Sequence, residues 1–593
     1  MSSRAVYKGS RRKLVLAFDV GTTFSGISYS ILDPGQIPVI KGVTRFPSHE
    51  KTGGTSKIPT IIYYSKKGEV QAVGAEATCD GIGVAAEDGN WFKAEWFKLH
   101  LRSKVVGEQN ILENIPPLPP NKTAVQVFAD FLQYLFHCAS RYIQDSHVNG
   151  ANLWEAVKGD IVFVLSHPNG WEGKEQGQMC RAAVLAGLIP DDLSGHSRLS
   201  FVTEGEASLH FAIQNGVLLN AMAKGEGVVI VDAGGGTIDI SSYRRNMQDV
   251  NKAFEEIAVA QCLLSGSVFV NVYATKFLTS FLEDSSFSED VDHIVHCFDM
   301  ATKPRFKNAD EPQYVKFGST RDNDPTHNIR FGQLKLAGSD VAQFFTPSVN
   351  SIIKAVLELQ NIFHDKISQV IMVGGFSASD WLFDNVSRAL TKAQLGLSVV
   401  RPEEHVNKAV SDGAVSFFLD HFVRARVSKA AYGQICGILY DPCDAEHVKR
   451  KASIIISASG RSHVNHYFQV ILPKNTQVAE AQEFRRPFNF ERFDRADFKT
   501  SYPTISCYRG STKQPQWRDI EPDKYTTVCK VKVDLSPLPS VSLVNESGKP
   551  YYRVDYDVIV FFGLTEMKAQ VAWKENGVEK RSPATIIYDA DAL

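Results

Sequence analysis

Two short stretches hold the residue types that a phosphate and a cation would need: Asp19-Val-Gly-Thr-Thr-Phe-Ser-Gly26 and Asp232-Ala-Gly-Gly-Gly-Thr-Ile-Asp239. The two aspartates lie 213 residues apart. Each stretch reads as strand, acidic residue, glycine-rich turn, hydroxyl residue, next strand. Glycines let main-chain N–H groups come close to a polyphosphate, threonine hydroxyls add donors, and a carboxylate at a strand end can hold a divalent cation through its water shell. Two such hairpins facing each other would clamp phosphates from both sides. One alone is as easily a plain tight turn; the matched pair is what argues for chemistry. Neither stretch is a G-x-x-x-x-G-K-[ST] loop or a G-x-G-x-x-G fingerprint.

A third element is Ile371-Met-Val-Gly-Gly-Phe-Ser-Ala-Ser379, a buried strand running into a double glycine ahead of a helix that starts near Asp380. A helix N-terminus there would suit an anion or a nucleoside, whereas by itself it reads as a capped strand–helix turn. In Ser411-Asp-Gly-Ala-Val-Ser416 small residues fall mid-helix, where two helices can cross closely.

The elements that must position these residues are legible in the hydropathy pattern. Leu14–Asp19, Ile161–Leu165, Val228–Asp232 and Gln369–Val373 read as strands apolar enough to be buried on both faces. Val125–Arg141, Gln178–Ala186, Val268–Leu282 and Thr346–Ile362 read as helices, so residues 13 to about 425 form an alternating α/β region. Beyond about residue 430 short alternating runs take over: Ser453–Ser457, Tyr467–Leu472, Val528–Leu535, Asp555–Phe561 and Met567–Trp573. In the last run Met567, Ala569, Val571 and Trp573 share one face. Asn576-Gly577 then signals a type I′ hairpin. The basic stretch Val423–Lys429 is the expected junction.

With 593 residues the chain exceeds one hydrophobic core. A net charge of −2 gives no electrostatic case for nucleic acid or an anionic membrane. No run approaches the roughly 18 apolar residues of a membrane span, and Leu14–Phe18 is too short for a signal h-region. Nine scattered cysteines without C-x-x-C argue against a disulfide framework or a zinc site and fit reduced thiols in a cytosol.

In order and spacing, the three motifs resemble the phosphate-1, phosphate-2 and adenosine motifs of the actin/sugar-kinase/heat-shock-70 superfamily. Within it they look most like the heat-shock protein 70 chaperones. Val202-Thr-Glu-Gly-Glu-Ala-Ser208 resembles that family's first connecting segment, Val164-Leu-Ser-His-Pro168 its strand before the proline turn, and Trp96-Phe-Lys-Leu99 places Lys98 at its catalytic lysine. Ile471-Leu-Pro-Lys-Asn-Thr476 resembles a loop of its β-sandwich substrate domain. There are departures. Ala378 stands where the family stacks an arginine on adenine, glycine follows Glu204 in place of proline, and a basic stretch replaces the acidic, leucine-rich linker. The β module is expected to carry no helical lid. Together these resemble the divergent heat-shock protein family A member 12-like branch.

The resemblance implies a two-lobed actin-like ATPase domain over 1–428, built of duplicated ribonuclease-H-like halves (lobe I about 13–205, lobe II about 226–400), and a β-sandwich substrate-binding-like domain over 429–593. It implies ATP or ADP between the lobes, Asp19 and Asp232 orienting hydrated magnesium, and potassium as a further cation. Gly21, Thr22, Thr23, Gly234, Gly235, Gly236 and Thr237 would cradle the phosphates, with Gly266 beside them, and Gly374, Gly375, Phe376 and Ser377 would take the nucleoside. Lys98 would neutralise the γ-phosphate, and Glu204 and Asp239 would position water or a cation; Asp232 and Thr237 also count with the catalytic set. The bland alternatives are that Lys98 is a surface lysine passing apolar neighbours and that Glu204 is a helix N-terminal charge. The implied protein is a slow magnesium-dependent ATPase of the cytoplasm, the nucleus remaining open, that binds unfolded or extended peptides with co-chaperones or exchange factors. A non-hydrolysing nucleotide-responsive adaptor and a sugar or polyol kinase are the alternatives.

Overall fold

The computed structural model describes residues 4–48, 56–102, 115–171, 173–218, 224–248, 253–363, 367–402, 406–480, 482–500, 502–531, 534–536, 538–563, 566–582 and 585–586. The chain divides into two compact units. The larger comprises residues 1–171, 179–254 and 260–423; the smaller comprises 172–178, 255–259 and 424–593.

In the larger unit the run Lys13–Val20 is strand β1, buried from Leu14 onward. It turns back into β2, Phe24–Leu32, with Asp19 opposite Gly26 and Val20 opposite Ser25. The turn is tight because a Cβ on Gly21 would meet the Phe24 carbonyl oxygen at 2.3 Å. Helix α1, Ala124–Ser146, opens on a capping box between Thr123 and Gln126 and leads toward β3, Ile161–His167. That strand lies parallel to β1, and β4, Leu199–Thr203, lies parallel to β3. β4 runs directly into α2, Glu204–Gln214, whose N-cap Thr203 accepts a hydrogen bond from Glu206 N.

The same plan recurs. Strand β5, Gly227–Ala233, is buried throughout and forms an antiparallel hairpin with β6, Ile238–Arg245, in a register that puts Asp232 opposite Asp239. Helix α3, Ser267–Phe281, follows. Then β7, Ile367–Val373, adds parallel to β5, and β8, Ser398–Val400, parallel to β7. Each sheet is thus a hairpin extended by two parallel strands beside its first strand. This mixed α/β arrangement is compatible with an actin-like ATPase fold.

Helix α4, Ala409–Asp420, carries the small-residue stretch. A Cβ on Gly413 would lie 1.8 Å from the Ala207 carbonyl oxygen of α2, so the two helix backbones touch at a point where only glycine fits. The four strands and the helices expected from the sequence are present. Their limits differ: the helices expected to reach Ala186 and Leu282 end at Leu185 and Phe281, and the one expected from Thr346 begins at Gly338. Its two added turns contribute Val341, Phe344 and Phe345 to the core.

The basic stretch expected as a junction is itself a strand, Val423–Val427. Within the smaller unit, β9, Ala431–Leu439, pairs antiparallel with β10, Ser462–Leu472. A second group is formed by β11, Glu483–Arg492, while β12, Thr504–Tyr508, and β13, Tyr525–Lys530, extend the first beyond β9. Then β14, Pro550–Gly563, pairs with β11 and with β15, Glu566–Glu575, which turns into β16, Val578–Arg581. The turn holds Asn576 at φ 52° and Gly577 at φ 80°, the two positive values that a type I′ hairpin requires. Tyr432, Leu472, Ile505 and Val528 from the first sheet share one core with Val554, Val558, Val560, Ala569 and Val571 from the second. Among the described residues no helix is long and apolar enough to cross a membrane.

Candidate functional site

Asp19 is the next-to-last residue of β1 and Asp232 that of β5, and both line one cavity of about 460 Å³ within the larger unit. The glycine turns that follow them meet across it. A Cβ on Gly235 would stand 2.3 Å from Thr23 Oγ1, and one on Gly236 2.4 Å from Thr22 Oγ1. The walls carry Gly21, Thr22, Thr23, Gly234, Gly235, Gly236 and Thr237 from the two turns, with Lys98 and Glu204. Gly374, Gly375, Ala378, Val406, Asn407 and Val410 close another side. Gly374, at φ 86°, is held against the second hairpin: a Cβ there would meet Asp232 Oδ1 at 2.3 Å.

Lys98 is not a surface lysine. It sits in the short 3-10 turn Phe97–Leu101, 3% exposed, and donates to Glu204 Oε1 at 2.5 Å. Its Nζ also lies 5.6 Å from the centre of the Trp171 ring. Burial alone would lower its pKa, but the charges of Glu204, Asp19 and Asp239 outweigh that and raise it. Glu204 occupies the first position of α2, so the helix-terminus reading and the ion-pair reading hold together. Burial raises the pKa of Glu204 against the lowering effect of Lys98, and burial with the Glu204 charge raises that of Asp232 well above its ordinary value.

Asp239 lies behind the cavity wall. Its Oδ1 accepts from Asn169 N at 2.5 Å, while Oδ2 is buried without a hydrogen-bond partner among the described residues. Burial, then the Glu204 charge, push its pKa up to about 7. A carboxylate with a raised native pKa favours the folded state while protonated and costs stability as the pH climbs from its unfolded value near 4 through 7. Asp239→Asn removes that titration. Its stability relative to the parent protein is expected to rise across this window by up to about 1.4 kcal/mol per pH unit and then to level off. Urea unfolding of both proteins at pH 5 and pH 8 reads the difference; a pH-independent difference rejects the assignment.

Three residues expected to bind nucleotide do not line the cavity. Gly266 packs behind the second turn, where a Cβ would meet the Gly235 carbonyl oxygen at 2.5 Å, and it donates its N–H to Gly236 O. Phe376 turns into the core beside Phe345. Ser377 Oγ is spent on the Gly374 carbonyl at 2.7 Å. Other residues went unforeseen. Lys57 Nζ pairs with Asp19 Oδ2 at 2.6 Å, Ser166 Oγ donates to Asp19 Oδ1 at 3.1 Å, and Ser208 Oγ donates to Asp232 Oδ2 at 2.8 Å. Asn169 accepts from Gly205 N at 3.2 Å while its own N–H serves Asp239. A Cβ on Gly205 would stand 1.9 Å from Ser241 Oγ, which leaves no room for a proline ring there. Only Ser208 carried a sequence signal, since it lies one helical turn after Glu204 on the same face.

Among the described residues no group of three acidic, histidine or cysteine side chains forms a metal cage. The acceptors instead fit a cation that arrives with its own phosphate and water ligands. Asp232 Oδ1 takes no donor among the described residues, and the orphaned Asp239 Oδ2 lies behind it. Asp19 is less open to that role, because each of its oxygens already accepts one protein donor.

Heat shock 70 kDa protein 12B of Homo sapiens is 24% identical over 573 residues, covering 80% of this chain and 78% of that protein. Heat shock 70 kDa protein 12A of Mus musculus and of Homo sapiens are each 22% identical over 556 residues, covering 80% of this chain and 79% of those proteins. No family model matches the chain. These three relatives bear out the resemblance to the divergent member 12-like branch of the heat-shock-70 family.

Proposed function

We propose, from the premise of that kinship, that the larger unit binds ATP or ADP with hydrated magnesium between its two hairpins and hydrolyses ATP slowly. The observation that carries this reading is the convergence of Asp19, Asp232 and both glycine turns on one cavity. Backbone N–H groups of two tight turns, three threonine hydroxyls and the Lys98 ammonium supply the donors that phosphoryl positioning needs. Asp232 and Asp239 would face the cation that the phosphates bring, whose charge would offset the burial cost of both carboxylates. The actin-like duplication, a sandwich assignment for the smaller unit and its use as an extended-peptide groove rest on the family resemblance.

A second reading, a nucleotide-responsive adaptor that does not turn over, is favoured by two observations. Ala378 lines the cavity where an arginine would stack, and Lys98 is committed to Glu204. Phosphate release separates the two, since the adaptor binds without it.

The test is thermal unfolding with ATP, ADP and other nucleotides plus magnesium. A ligand bound only by the folded state, at a hundred times its Kd, adds about 2.7 kcal/mol of stability. Adenine nucleotides are expected to raise the melting temperature, and Asp232→Asn is expected to remove most of that rise. Melting unaffected by any nucleotide rejects the proposal.

A further inference from the structure

Asp19 and Asp232 stand at equivalent ends of two equivalent hairpins, yet their partners differ. Asp232 meets a hydroxyl, Ser208, and among the described residues no ammonium or guanidinium pairs with it. Asp19 meets a full positive charge, Lys57 Nζ at 2.6 Å, with Ser166 on its other oxygen. Lys57 reaches this place by backbone pairing. The short strand Lys57–Pro59 runs antiparallel to β2 with Lys57 opposite Gly26, and Gly26 is itself the partner of Asp19. The lysine stem crosses Gly26, where a Cβ would lie 3.2 Å from Lys57 Cγ, and its head turns back over the strand end. Lys57 is also part of the cavity wall that carries Lys98 and the two turns.

We propose that Lys57 is a built-in counter-cation for the phosphates. Its ammonium neutralises Asp19 and donates to the incoming polyphosphate, so that nucleotide binds without a divalent metal. The inference rests on the nucleotide reading above and says how that site handles charge. An ammonium has three donors and no acceptor, which suits it to bridge one carboxylate and one phosphate oxygen. The electrostatics require some such group. Asp19, Asp232 and Glu204 line the cavity with Asp239 behind them, and a polyphosphate brings further negative charge into a place where charges are poorly screened. Lys98 pairs with Glu204, and among the described residues the cation beside Asp19 is Lys57. A hydrated metal entering with the phosphates then has Asp232 to face and does not need Asp19.

Calorimetric titration of the full chain with ADP, once in magnesium and once in excess EDTA, tests this. The parent protein is expected to keep measurable binding in EDTA. Lys57→Met is expected to lose about 10- to 100-fold in EDTA and distinctly less in magnesium, because the uncovered Asp19 then accepts the hydrated cation. Lys57→Arg keeps the charge and is expected to keep metal-free binding. Equal losses of Lys57→Met in both buffers, or none in either, would reduce Lys57 to a clamp on Asp19 and overturn the proposal. Parent binding that vanishes without magnesium overturns it whatever the variants do, while leaving the nucleotide reading standing. Parent protein that binds ADP in neither buffer removes both.

Discussion

Lys98→Met is expected to destabilise the larger unit by about 3–5 kcal/mol at neutral pH, although methionine nearly matches lysine in volume. The loss comes from what is left behind. Lys98 is 3% exposed and its partner Glu204 only 8%, so removing the ammonium strands a largely buried carboxylate in the cavity wall. Glu204 has an escape, since burial already raises its pKa and the lysine is what holds it down. In the variant it takes a proton more readily, so the penalty should shrink as the pH falls and grow as the pH rises. Glu204→Gln behaves differently. The stranded lysine still feels Asp19 and Asp239, so the loss should be smaller and acid should not relieve it. The double variant Lys98→Met/Glu204→Gln removes both charges, and a coupling energy of at least about 2 kcal/mol is expected from the cycle. Urea unfolding of the four proteins at pH 5 and pH 8 measures all of this. Additive losses without pH dependence would mean that the pair contributes no more than two separate side chains.

How much of this was legible beforehand depends on the range over which each feature is specified. The hairpins were readable because acid, glycine and threonine sit within eight residues of each other, and their registers, Asp19 against Gly26 and Asp232 against Asp239, follow from the tight turns. The Asn576-Gly577 turn was readable for the same reason. Gly413 was readable as a close crossing, but not its partner, because Ala207 belongs to another helix. Lys98 stayed ambiguous: its aromatic-rich surroundings suit a passing surface stem as well as a buried charge, and the deciding partner lies 106 residues away. Lys57 had no local signature at all, since its role comes from the edge pairing with β2. Phe376 and Ser377 show the opposite failure. The motif was found, but the 3-10 turn Gly375–Ala378 sends both side chains inward and leaves Gly375 and Ala378 facing the cavity.

The largest effect on ligand binding is expected where the hairpins touch. Gly235→Val and Gly236→Val should each abolish the nucleotide-induced rise in melting temperature, a loss of about a hundredfold or more in affinity. Backbone conformation is not the reason, for neither glycine has a positive φ. The obstacle is the opposite turn: a Cβ at position 235 would lie 2.3 Å from Thr23 Oγ1 and 3.1 Å from Thr23 Cβ, and one at 236 would lie 2.4 Å from Thr22 Oγ1 and 3.0 Å from Leu99 Cδ2. One methyl already forces the turns apart, and the N–H groups that converge on a phosphate from both sides then no longer share a focus. Apo stability should fall by only about 1–3 kcal/mol, because the strands behind the turns keep their burial. Gly375→Ala is the control, since nothing lies within 4 Å of the added methyl; it should leave apo stability unchanged. The double variant Gly235→Ala/Thr23→Ala removes the clashing hydroxyl, so it should regain apo stability while still lacking the Thr23 donor and binding weakly. If Gly235→Val instead binds Mg-ADP as the parent does, the phosphates do not sit between these turns.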